Sequence, residues 1–540
     1  MSLLSLINIG KSTLYASQAA LNVAGHNIAN VNTPGYTRQE VVLETASPIV
    51  PMATGYMGIG VAVKAIERRY DRFIETQLLG QETNLGKSTA MDQVFGQVEQ
   101  VFNDSAGAGI SESLNALFDA WQSLSANPED TAQRTVLLSK AASLAGTLRR
   151  MDRNLVATVG GINDDISSAV ERIGAIATDI ALLNGRIVEV EAGGTATAND
   201  LRDSRDMLVK ELSGLADIET LEDATGSLNV FLGMRSLVDG QRAATLSTAT
   251  ESSGDLRILL DGKDMTAQIA EGRLGGLLAS RETVESETLP GLRLLAAALT
   301  KEMNLLHRAG YGLDGTTGND FFAPLSLSTT ADSAGATVTS ATVTDPAALT
   351  LSEYSISIGA GNAYTVADAG TGATVATGTY ASGGSIAFEG ISVVITGTVA
   401  EGDAFTVSPL TDAAANMSVS VSDSRKIAAA SAASALPGDN SNALAIAGLA
   451  DAAVDALGDD TFSAFYSGLV TEAGAHARDA ADLMTFDVNL KSELVNRRES
   501  ASGVSIDEEA TKIIAFQRMF EAGARIIKIT DELFQTVLQL

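Results

Sequence analysis

Residues Gly25–Glu40 read GHNIANVNTPGYTRQE and concentrate three asparagines, a proline and two glycines directly behind an apolar segment. Asparagine, proline and glycine favour turns and helix ends. Pro34 fixes its own φ, and Gly35 allows a positive φ that other residues avoid. Asn30 and Asn32 suit capping or left-handed conformations. We therefore predict that a first helix ends here and that the chain turns sharply.

The segment before this turn is predicted to be a helix that needs a partner. Between residues 1 and 37 the only formal charge is Lys11. Large apolar residues recur every seven positions beside a second seven-residue series of mostly small residues. The large series is Ile7, Leu14, Leu21 and Ile28, and the other is Leu3, Gly10, Ser17, Ala24 and Val31. Such spacing is typical of helices that pack closely along their lengths, and we predict that the large series forms the buried seam of this helix.

The carboxyl-terminal segment repeats the seven-residue spacing. Its apolar series is Ile506, Ile513, Phe520, Ile527 and Phe534. Ser505 and Glu508 form a capping-box pattern at the start of this predicted helix. Periodic helices at both ends of one chain suggest an antiparallel coiled coil between them. Spacing alone is also consistent with two ordinary amphipathic helices, each packed on its own domain.

The middle of the chain is predicted to be mostly helical. Helices are expected from about Thr83 to Leu215 with an interruption at Gly160–Gly161, and again from Gly272 to about Arg308 with a break near Pro290. Short alternating runs between Asp217 and Asp261 predict β-hairpins. Helix is expected to resume at Arg425 and to continue, with a loop near residues 436–439, to about Glu499.

Residues 310–424 predict an inserted all-β domain. No lysine or arginine lies between Arg308 and Arg425, while eleven acidic residues do. Short alternating strands at hairpin spacing indicate a small sandwich or barrel. Because it interrupts a helical region, we expect its two ends to be close together and the insert to face outward.

These patterns predict a multidomain chain, mainly α with β parts. The predicted divisions are residues 1–36 with 501–540 as a terminal coiled coil, 37–216 with 425–500 as a mainly helical domain, 217–309 as a mixed hairpin and helix domain, and 310–424 as the inserted β domain.

Composition restricts the function classes. The formal charge of −30, from 36 basic and 66 acidic residues, argues against nucleic acid and anionic membranes as partners. The absence of cysteine excludes disulfides, thiolate metal sites and cysteine nucleophiles. No run approaches the ~18 apolar residues of a membrane span. The first residues lack a signal-peptide pattern, so export would be expected without a cleaved signal of the usual kind.

The motifs of catalytic or cofactor chemistry are incomplete. Gly-Lys-Ser-Thr occurs at Gly10–Thr13 and Gly86–Thr89, but the glycine that a phosphate-binding loop needs five positions earlier is Ser5 or Gln81. The three histidines, His26, His307 and His476, are far apart in sequence and predict no metal site. We therefore predict no cofactor, no metal and no enzymatic activity.

Both ends of the chain resemble the bacterial flagellar axial proteins of rod, hook and hook-associated type. Residues 3–39 resemble the amino-terminal motif of that family, and residues 502–540 resemble its carboxyl-terminal segment. The amino-terminal match falls on Asn27, Ala29, Asn30, Asn32, Thr33, Pro34, Gly35, Tyr36, Arg38 and Gln39. The resemblance implies that the termini pair in the inner tube of the flagellar axis and are disordered before assembly. Tyr36 and Arg38 would then contact a neighbouring domain or subunit.

The middle resembles the hook-associated members of this family, which join hook to filament. The resemblance rests on the helical region and on MNLLHRAGYGLDG (Met303–Gly315) and LPGDNSNALAIAGLAD (Leu436–Asp451). It implies a structural role in motility at the extracellular hook–filament junction. The implied partners are copies of the chain in a helical tube, the hook protein, the next hook-associated junction protein, the flagellar type III export apparatus and a cytoplasmic export chaperone.

Two alternatives remain open from the sequence. A hook or distal rod protein shares the terminal motifs. A secreted carbohydrate-binding or hydrolytic surface protein would use the insert, whose aromatic residues could stack on sugars. These residues are Tyr354, Tyr364, Tyr380, Phe388 and Phe405.

Overall fold

The computed structural model describes residues 3–46, 51–52, 55–56, 60–103, 109–194, 196–250 and 256–539. Met1, Ser2 and Leu540, which the sequence analysis assigned to the terminal domain, lie outside the described residues. Within these ranges the chain is mainly α-helical with several small antiparallel sheets, as predicted.

Ten α-helices lie in the described ranges. They are α1 (Leu3–Ala29), α2 (Arg72–Phe102), α3 (Ile110–Ala126), α4 (Thr131–Glu191), α5 (Asn199–Leu215), α6 (Gly272–Thr283), α7 (Leu289–Ala309), α8 (Ser441–Ala447), α9 (Phe462–Ser502) and α10 (Ile506–Leu538). A π-helix, Val284–Thr288, joins α6 to α7 and precedes Pro290, where the sequence predicts a break.

Nineteen strands are found in the same ranges. They are β1 (Gln39–Thr45), β2 (Pro51–Met52), β3 (Gly55–Tyr56), β4 (Val61–Arg68), β5 (Ile218–Glu222), β6 (Leu228–Leu232), β7 (Arg235–Asp239), β8 (Arg242–Ala243), β9 (Leu246–Thr250), β10 (Leu256–Leu260), β11 (Lys263–Asp264), β12 (Ser328–Asp332), β13 (Ala336–Val343), β14 (Tyr354–Ile358), β15 (Ala363–Asp368), β16 (Thr374–Thr379), β17 (Ser385–Phe388), β18 (Ile391–Gly397) and β19 (Ala404–Ser408).

The chain divides into two compact units. The first comprises Met1–Ala90, Asp165–Leu278 and Ala481–Leu540, and the second comprises Met91–Asp164 and Ala279–Ala480. A compact unit can contain more than one folding domain, so the four-domain division remains a prediction.

In the first unit, α1 and α10 pack antiparallel. Asn27, near the end of α1, donates a hydrogen bond of 3.1 Å to Glu509, near the start of α10. Further along, a Cβ on Gly10 would lie 3.2 Å from the carbonyl oxygen of Gly523. The end of α1 therefore lies beside the start of α10, and an earlier position of α1 lies beside a later position of α10, which defines an antiparallel pair. The predicted pairing of the chain ends is confirmed.

The first unit also contains the predicted hairpins. Strands β5 to β8 form one antiparallel sheet in chain order, and β9 to β11 form a second. Leu228, Val230 and Leu232 alternate inward along β6 and are buried. Asn184 of α4 donates hydrogen bonds of 2.8 and 2.7 Å to the carbonyls of Leu228 and Gly240, so this sheet is tied to the helix.

In the second unit, the predicted insert forms two antiparallel sheets. One sheet has the order β12-β19-β14-β15-β16, and the other has the order β13-β18-β17. Tyr354 of the first and Phe388 of the second are both buried, with ring centroids 5.0 Å apart. At its base, the amide of Ala323 donates to the carbonyl of Ser418 at 2.8 Å. The two ends of the insert therefore lie side by side, as predicted.

The predicted interruption at Gly160–Gly161 is wrong. Helix α4 is continuous for 61 residues. Each glycine costs a helix roughly 1 kcal/mol relative to alanine. Buried apolar residues occur on both sides of the glycines, at Leu155, Ile162 and Ile166, and their burial outweighs that cost.

The predicted helix from Arg425 is also wrong over its first part. Residues 425–461 contain only the short α8 and single 3₁₀ turns, and the long helix α9 begins at Phe462. The alanine-rich run misled the prediction because alanine favours helix in isolation. Here the backbone pairs elsewhere: Tyr311 and Ala430 exchange two hydrogen bonds of 2.8 and 3.3 Å.

A buried arginine holds this irregular segment. The guanidinium of Arg134 donates to the carbonyls of Ile427 at 2.6 Å, Ser424 at 3.2 Å and Pro128 at 2.6 Å. Burial lowers its pKa to about 10, so the group stays charged at neutral pH. In a helix, backbone carbonyls accept hydrogen bonds from the amides of the same helix. Here these carbonyls accept hydrogen bonds from the Arg134 side chain.

Two further features were missed or misplaced. Strands β1 and β4 form a hairpin directly after the Gly25–Glu40 turn, with a bulge between Val42 and Leu43, which the sequence analysis did not anticipate. Helix α2 begins at Arg72, eleven residues before the predicted start at Thr83. No helix in the described part of the chain has both the length and the apolar content to cross a membrane.

Candidate assembly site at the paired chain ends

Small residues form the contact between α1 and α10. The buried residues of α1 are Gly10, Ala16, Ser17, Ala20, Val23, Ala24 and Asn27, which include three members of the small seven-residue series. The buried residues of α10 are Glu509, Gly523 and Thr530. A Cβ on Gly10 would lie only 2.7 Å from Cγ1 of Ile527. The helices therefore approach most closely where neither carries a side chain.

The large apolar series flanks this contact instead of filling it. Ile7, Leu14, Leu21 and Ile28 of α1 are half-buried, as are Ile513 and Ile527 of α10. Ile506, Phe520 and Phe534 are 54%, 39% and 38% exposed. Further apolar side chains of the pair are also exposed, namely Leu4, Tyr15, Ile514, Ile529, Leu533, Val537 and Leu538. The pair thus leaves a large apolar surface uncovered within one chain.

Asn27 is the centre of the turn. Its amide nitrogen donates to the carbonyl of Gln39 at 2.9 Å and to Glu509 at 3.1 Å. Its carbonyl oxygen accepts from the Gln39 amide at 3.0 Å and from the Tyr36 hydroxyl at 2.7 Å. With 1% of its surface exposed, Asn27 joins α1, the start of β1 and α10 in one buried network.

The Tyr36 hydroxyl is held in its neutral, donating form. Burial raises the pKa of Tyr36, and the negative charges of Asp200, Asp203 and Glu509 raise it further. The phenol therefore keeps its proton and donates it to Asn27 at any physiological pH. In this chain the Tyr36 hydroxyl lies against its own first helix.

Arg38 joins the turn to the start of α10. Its guanidinium lies 2.9 Å from Glu508 and 3.0 Å from Glu509, and its side chain is almost fully buried. Ser505 accepts a hydrogen bond from the Glu508 backbone amide at 3.4 Å, which is one half of the predicted capping box. The Glu508 carboxylate pairs with Arg38 and not with the Ser505 backbone amide, which the other half of a capping box requires. The backbone amide of Arg38 donates to Ser502, the last residue of α9, at 3.1 Å.

Helix α5 supplies a further set of acids to the same turn. Asp203 accepts from the Thr37 amide at 2.9 Å and from Arg68 of β4 at 2.7 Å. Asp200 accepts from the side chain of Gln39 at 2.8 Å. These acids were not predicted to belong to the site. Their spacing of three along a helix was visible, but only the fold brings α5 to the turn.

The remaining motif residues shape the turn itself. Asn30 caps α1, because its amide donates to the carbonyl of His26 at 3.0 Å, and Thr33 donates to Asn30 at 3.1 Å. Gly35 has a φ of 77°, as the sequence predicts. Asn32 and Pro34 are exposed. The motif therefore has two halves. Asn27 and residues 36–39 form the buried half, and the residues between them form the exposed half.

The two inner motifs, Met303–Gly315 and Leu436–Asp451, meet in the second unit at His307. Its Nε2 accepts from the Ala428 amide at 3.0 Å, so Nδ1 carries the proton and donates to the Asn319 carbonyl at 2.7 Å. Burial lowers the pKa of His307. Asn442 donates to the Ala428 carbonyl at 2.7 Å, which brings the second motif to the same strand-like segment.

Four sequence families match successive parts of the chain. A family described as the flagellar hook-associated protein FlgK helical domain matches residues 95–322, and a hook-associated protein 1, D2-like domain matches residues 327–409. A flagella basal body rod protein family matches residues 7–37, and a flagellar basal body rod FlgEFG C-terminal family matches residues 497–540. The last two cover the terminal segments that the sequence analysis singled out.

Relatives and a solved structure agree with these matches. Flagellar hook-associated protein 1 of Escherichia coli (strain K12) is 32% identical over 549 residues, covering 99% of this chain and 100% of the relative. That of Bacillus subtilis (strain 168) is 26% identical, covering 98% and 97%. The flagellar hook junction protein FlgK from Burkholderia pseudomallei shares the fold, with a TM-score of 0.66 at 21% identity over 79% of this chain and 100% of its own. The chain therefore belongs to the flagellar hook-associated protein 1 family.

Proposed function

We propose that the chain is a structural component of the bacterial flagellum that joins hook to filament and assembles helically with copies of itself through α1 and α10. Full-length similarity to hook-associated protein 1 supports this over the two alternatives, a hook or rod protein and a carbohydrate-binding surface protein. The observation that carries the proposal is the apolar surface that the terminal helix pair leaves exposed.

The two seven-residue series have different roles in this proposal. The small series closes the pair within one chain, because Gly10 and Gly523 allow the backbones to meet. The large series, including Phe520 and Phe534, faces neighbouring copies and is covered only in the assembly. Burying an exposed aromatic side chain contributes roughly 1.5–3 kcal/mol, and every copy repeats the contact.

The buried half of the motif sets the angle at which the chain leaves the tube. Asn27, Arg38 and Gln39 fix β1 against α1 and α10 through buried hydrogen bonds and ion pairs. The exposed half, Asn32 to Pro34, is left for a neighbour. The other proposed partners are the hook protein, the next junction protein, the flagellar type III export apparatus and a cytoplasmic export chaperone, and the proposed location is the extracellular hook–filament junction.

The experiment compares two charge substitutions on α10 in cells that lack the native gene. Phe520→Asp removes an exposed apolar side chain from the large series, whereas Gln517→Asp adds the same charge at an exposed polar position. We expect both proteins to be made and to keep the circular dichroism of the native chain. Phe520→Asp should abolish filament attachment in electron micrographs, and Gln517→Asp should preserve it.

Two results would contradict the proposal. Normal filament numbers with Phe520→Asp would show that the large series is not an intersubunit surface. Normal filaments in cells without the chain would exclude the junction role itself, and would return the rod and carbohydrate-binding alternatives to consideration.

A further inference from the structure

Three metal-ligating side chains from distant parts of the sequence meet in the second unit. Glu287 belongs to the π-helix between α6 and α7, while Glu472 and His476 lie one turn apart on α9. One ligand atom from each lies within 4.8 Å of the other two. The sequence predicted no metal site because its three histidines are far apart, and Glu287 and His476 are themselves 189 positions apart along the chain.

The imidazole of His476 is held in place for a ligand. Its ring stacks on Phe95, with centroids 5.1 Å apart and planes inclined by 19°. Its Nε2 is shielded from solvent and has no hydrogen-bond partner among the described residues. The nearest carboxylate oxygen, on Glu287, is 3.6 Å away and beyond hydrogen-bond distance. A buried ring nitrogen without a partner is unfavourable unless something else binds it.

The spacing of these atoms suits a cation. Ligand atoms at about 2.0–2.2 Å from a tetrahedral metal lie roughly 3.4 Å from one another. The distance of 3.6 Å between His476 and Glu287 is already close to that value. Glu472 is exposed and one helical turn from His476, so its carboxylate can close the remaining gap by rotation about its side-chain bonds.

We propose that Glu287, Glu472 and His476 bind one divalent metal ion of the zinc type. Imidazole nitrogen is a ligand for zinc and similar transition metals, whereas calcium and magnesium take oxygen ligands. Two carboxylates and one imidazole leave a fourth position for water. A metal here would also offset the repulsion between the two glutamates. Its effect is to fasten the π-helix to α9, and this inference does not depend on the junction role.

The π-helix places the Glu287 side chain beside Glu472 and His476. An extra residue per turn rotates the side chains that follow relative to a regular α-helix, and such turns often occur at functional sites. Pro290, at the start of α7, cannot donate a backbone hydrogen bond and so favours the wider turn before it. The local sequence thus explains why the helix departs from α geometry at this position.

The test uses the untagged full-length chain and Zn²⁺ in a calorimetric titration, with Co²⁺ as a spectroscopic probe. We expect one Zn²⁺ per chain and a Co²⁺ absorption typical of four-coordinate geometry. His476→Gln should weaken binding by about tenfold or more, the size of effect seen even for residues that only orient metal ligands. Glu287→Gln and Glu472→Gln should each weaken it as well. The matched control is His26→Gln, which removes an exposed histidine from the first unit and should leave binding unchanged.

Thermal unfolding provides a second measurement. Because a metal that binds the folded state raises the unfolding temperature, Zn²⁺ should stabilise the native chain and the His26→Gln variant but not His476→Gln. The proposal is overturned if the native chain binds no Zn²⁺ in excess metal, or if His476→Gln and native chains bind with equal affinity and stoichiometry. Circular dichroism of each variant separates loss of a ligand from loss of fold.

Discussion

The terminal helix pair leaves large apolar side chains exposed, whereas the inserted β domain buries them. In the pair, glycine, alanine and serine fill the contact while Ile514, Leu533 and Val537 remain exposed. In the insert, large side chains such as Val393 and Phe405 are buried between the sheets. The insert covers its large apolar side chains within one chain, whereas the pair leaves several of its own uncovered. Burial therefore separates the part that we propose for assembly from the part that folds on its own core.

The largest effect is expected from a side chain that forces α1 and α10 apart. Gly10→Leu would place a Cβ 2.7 Å from Ile527, closer than real contacts allow. The helices must separate, at a cost of about 1–3 kcal/mol in every copy, and we expect filament attachment to be lost. The measurement is filament number per cell by electron microscopy. Gly25→Ala is the matched control, because a Cβ there meets nothing within 4 Å. Equal filament numbers for both variants would contradict the close crossing.

Amide exchange in the dissolved monomer should separate the two regions. Residues 7–28 of α1 rely on a narrow contact of small side chains, so we expect fast exchange there. The central strand β18 of the smaller insert sheet should be protected by about 4 kcal/mol more, roughly a thousandfold in rate. The same amides of α1 should become protected on assembly. Strong protection of residues 7–28 in the monomer would show that the pair is stable without neighbours.

Removing the centre of the turn should weaken the assembly without abolishing it. Asn27→Ala deprives the backbone of Gln39 of two partners and Glu509 of one. Buried groups left unpaired cost about 1–3 kcal/mol each, so we expect filaments to detach at lower temperature. Asn27→Asp should be at least as damaging, since it places a carboxylate beside Glu509. The control is Asn489→Ala, at an exposed position of α9 outside the motif. A detachment temperature unchanged by Asn27→Ala would contradict the role of this network.

Acid should destabilise the second unit through His307. Its pKa is lowered by burial in the folded state, while the unfolded chain titrates near 6.5. Between those values the unfolded state binds a proton that the folded state excludes. The free energy of unfolding should therefore fall as pH drops below about 6.5, by up to ~1.4 kcal/mol per pH unit. We expect denaturant titrations at successive pH values to show this slope, and His26→Gln to keep it. A pH-independent second unit would contradict the neutral buried imidazole.

Replacing the insert should have the smallest effect. We expect a chain in which a short Gly-Ser linker replaces residues 328–412 to be exported and to attach filaments. The Ser328 hydroxyl donates a hydrogen bond to the Asp412 carboxylate, so the two edges of the deleted segment lie side by side and a short linker can join the remaining ends. Motility and electron microscopy would measure the result. Secretion of the shortened protein without filaments would show that the insert makes an essential contact between copies.

The sequence predicted what depends on local pattern. The helix-ending turn at Asn30 and Gly35, the hairpins and the strands of the insert all follow from residues close together in the chain. From the sequence the seam was placed on the large series, whereas within one chain the buried members of α1 include Gly10, Ser17 and Ala24 of the small series. Large and small residues have the same period, so spacing alone does not distinguish the two series. That choice depends on how closely two backbones approach, and it is decided at Gly10 and Gly523.

Non-local partners explain the remaining errors. The alanine-rich segment after Arg425 is extended because Tyr311 and Arg134, more than a hundred residues away in sequence, supply its hydrogen bonds. The acids of α5 were visible as a helical face, yet only the folded chain brings Asp203 to the Thr37 amide. Isolated propensity gives no information about such partners.

The paired ends of the insert have a consequence for protein engineering. Ala323 and Ser418 are joined by a backbone hydrogen bond, and Phe322 and Val419 form an adjacent bridge. Neighbouring antiparallel strands bring such residues to about 5 Å between Cα atoms. A foreign domain whose own termini are that close could be grafted at this position without redirecting the chain on either side. The chain would then carry a foreign antigen or enzyme into the flagellum.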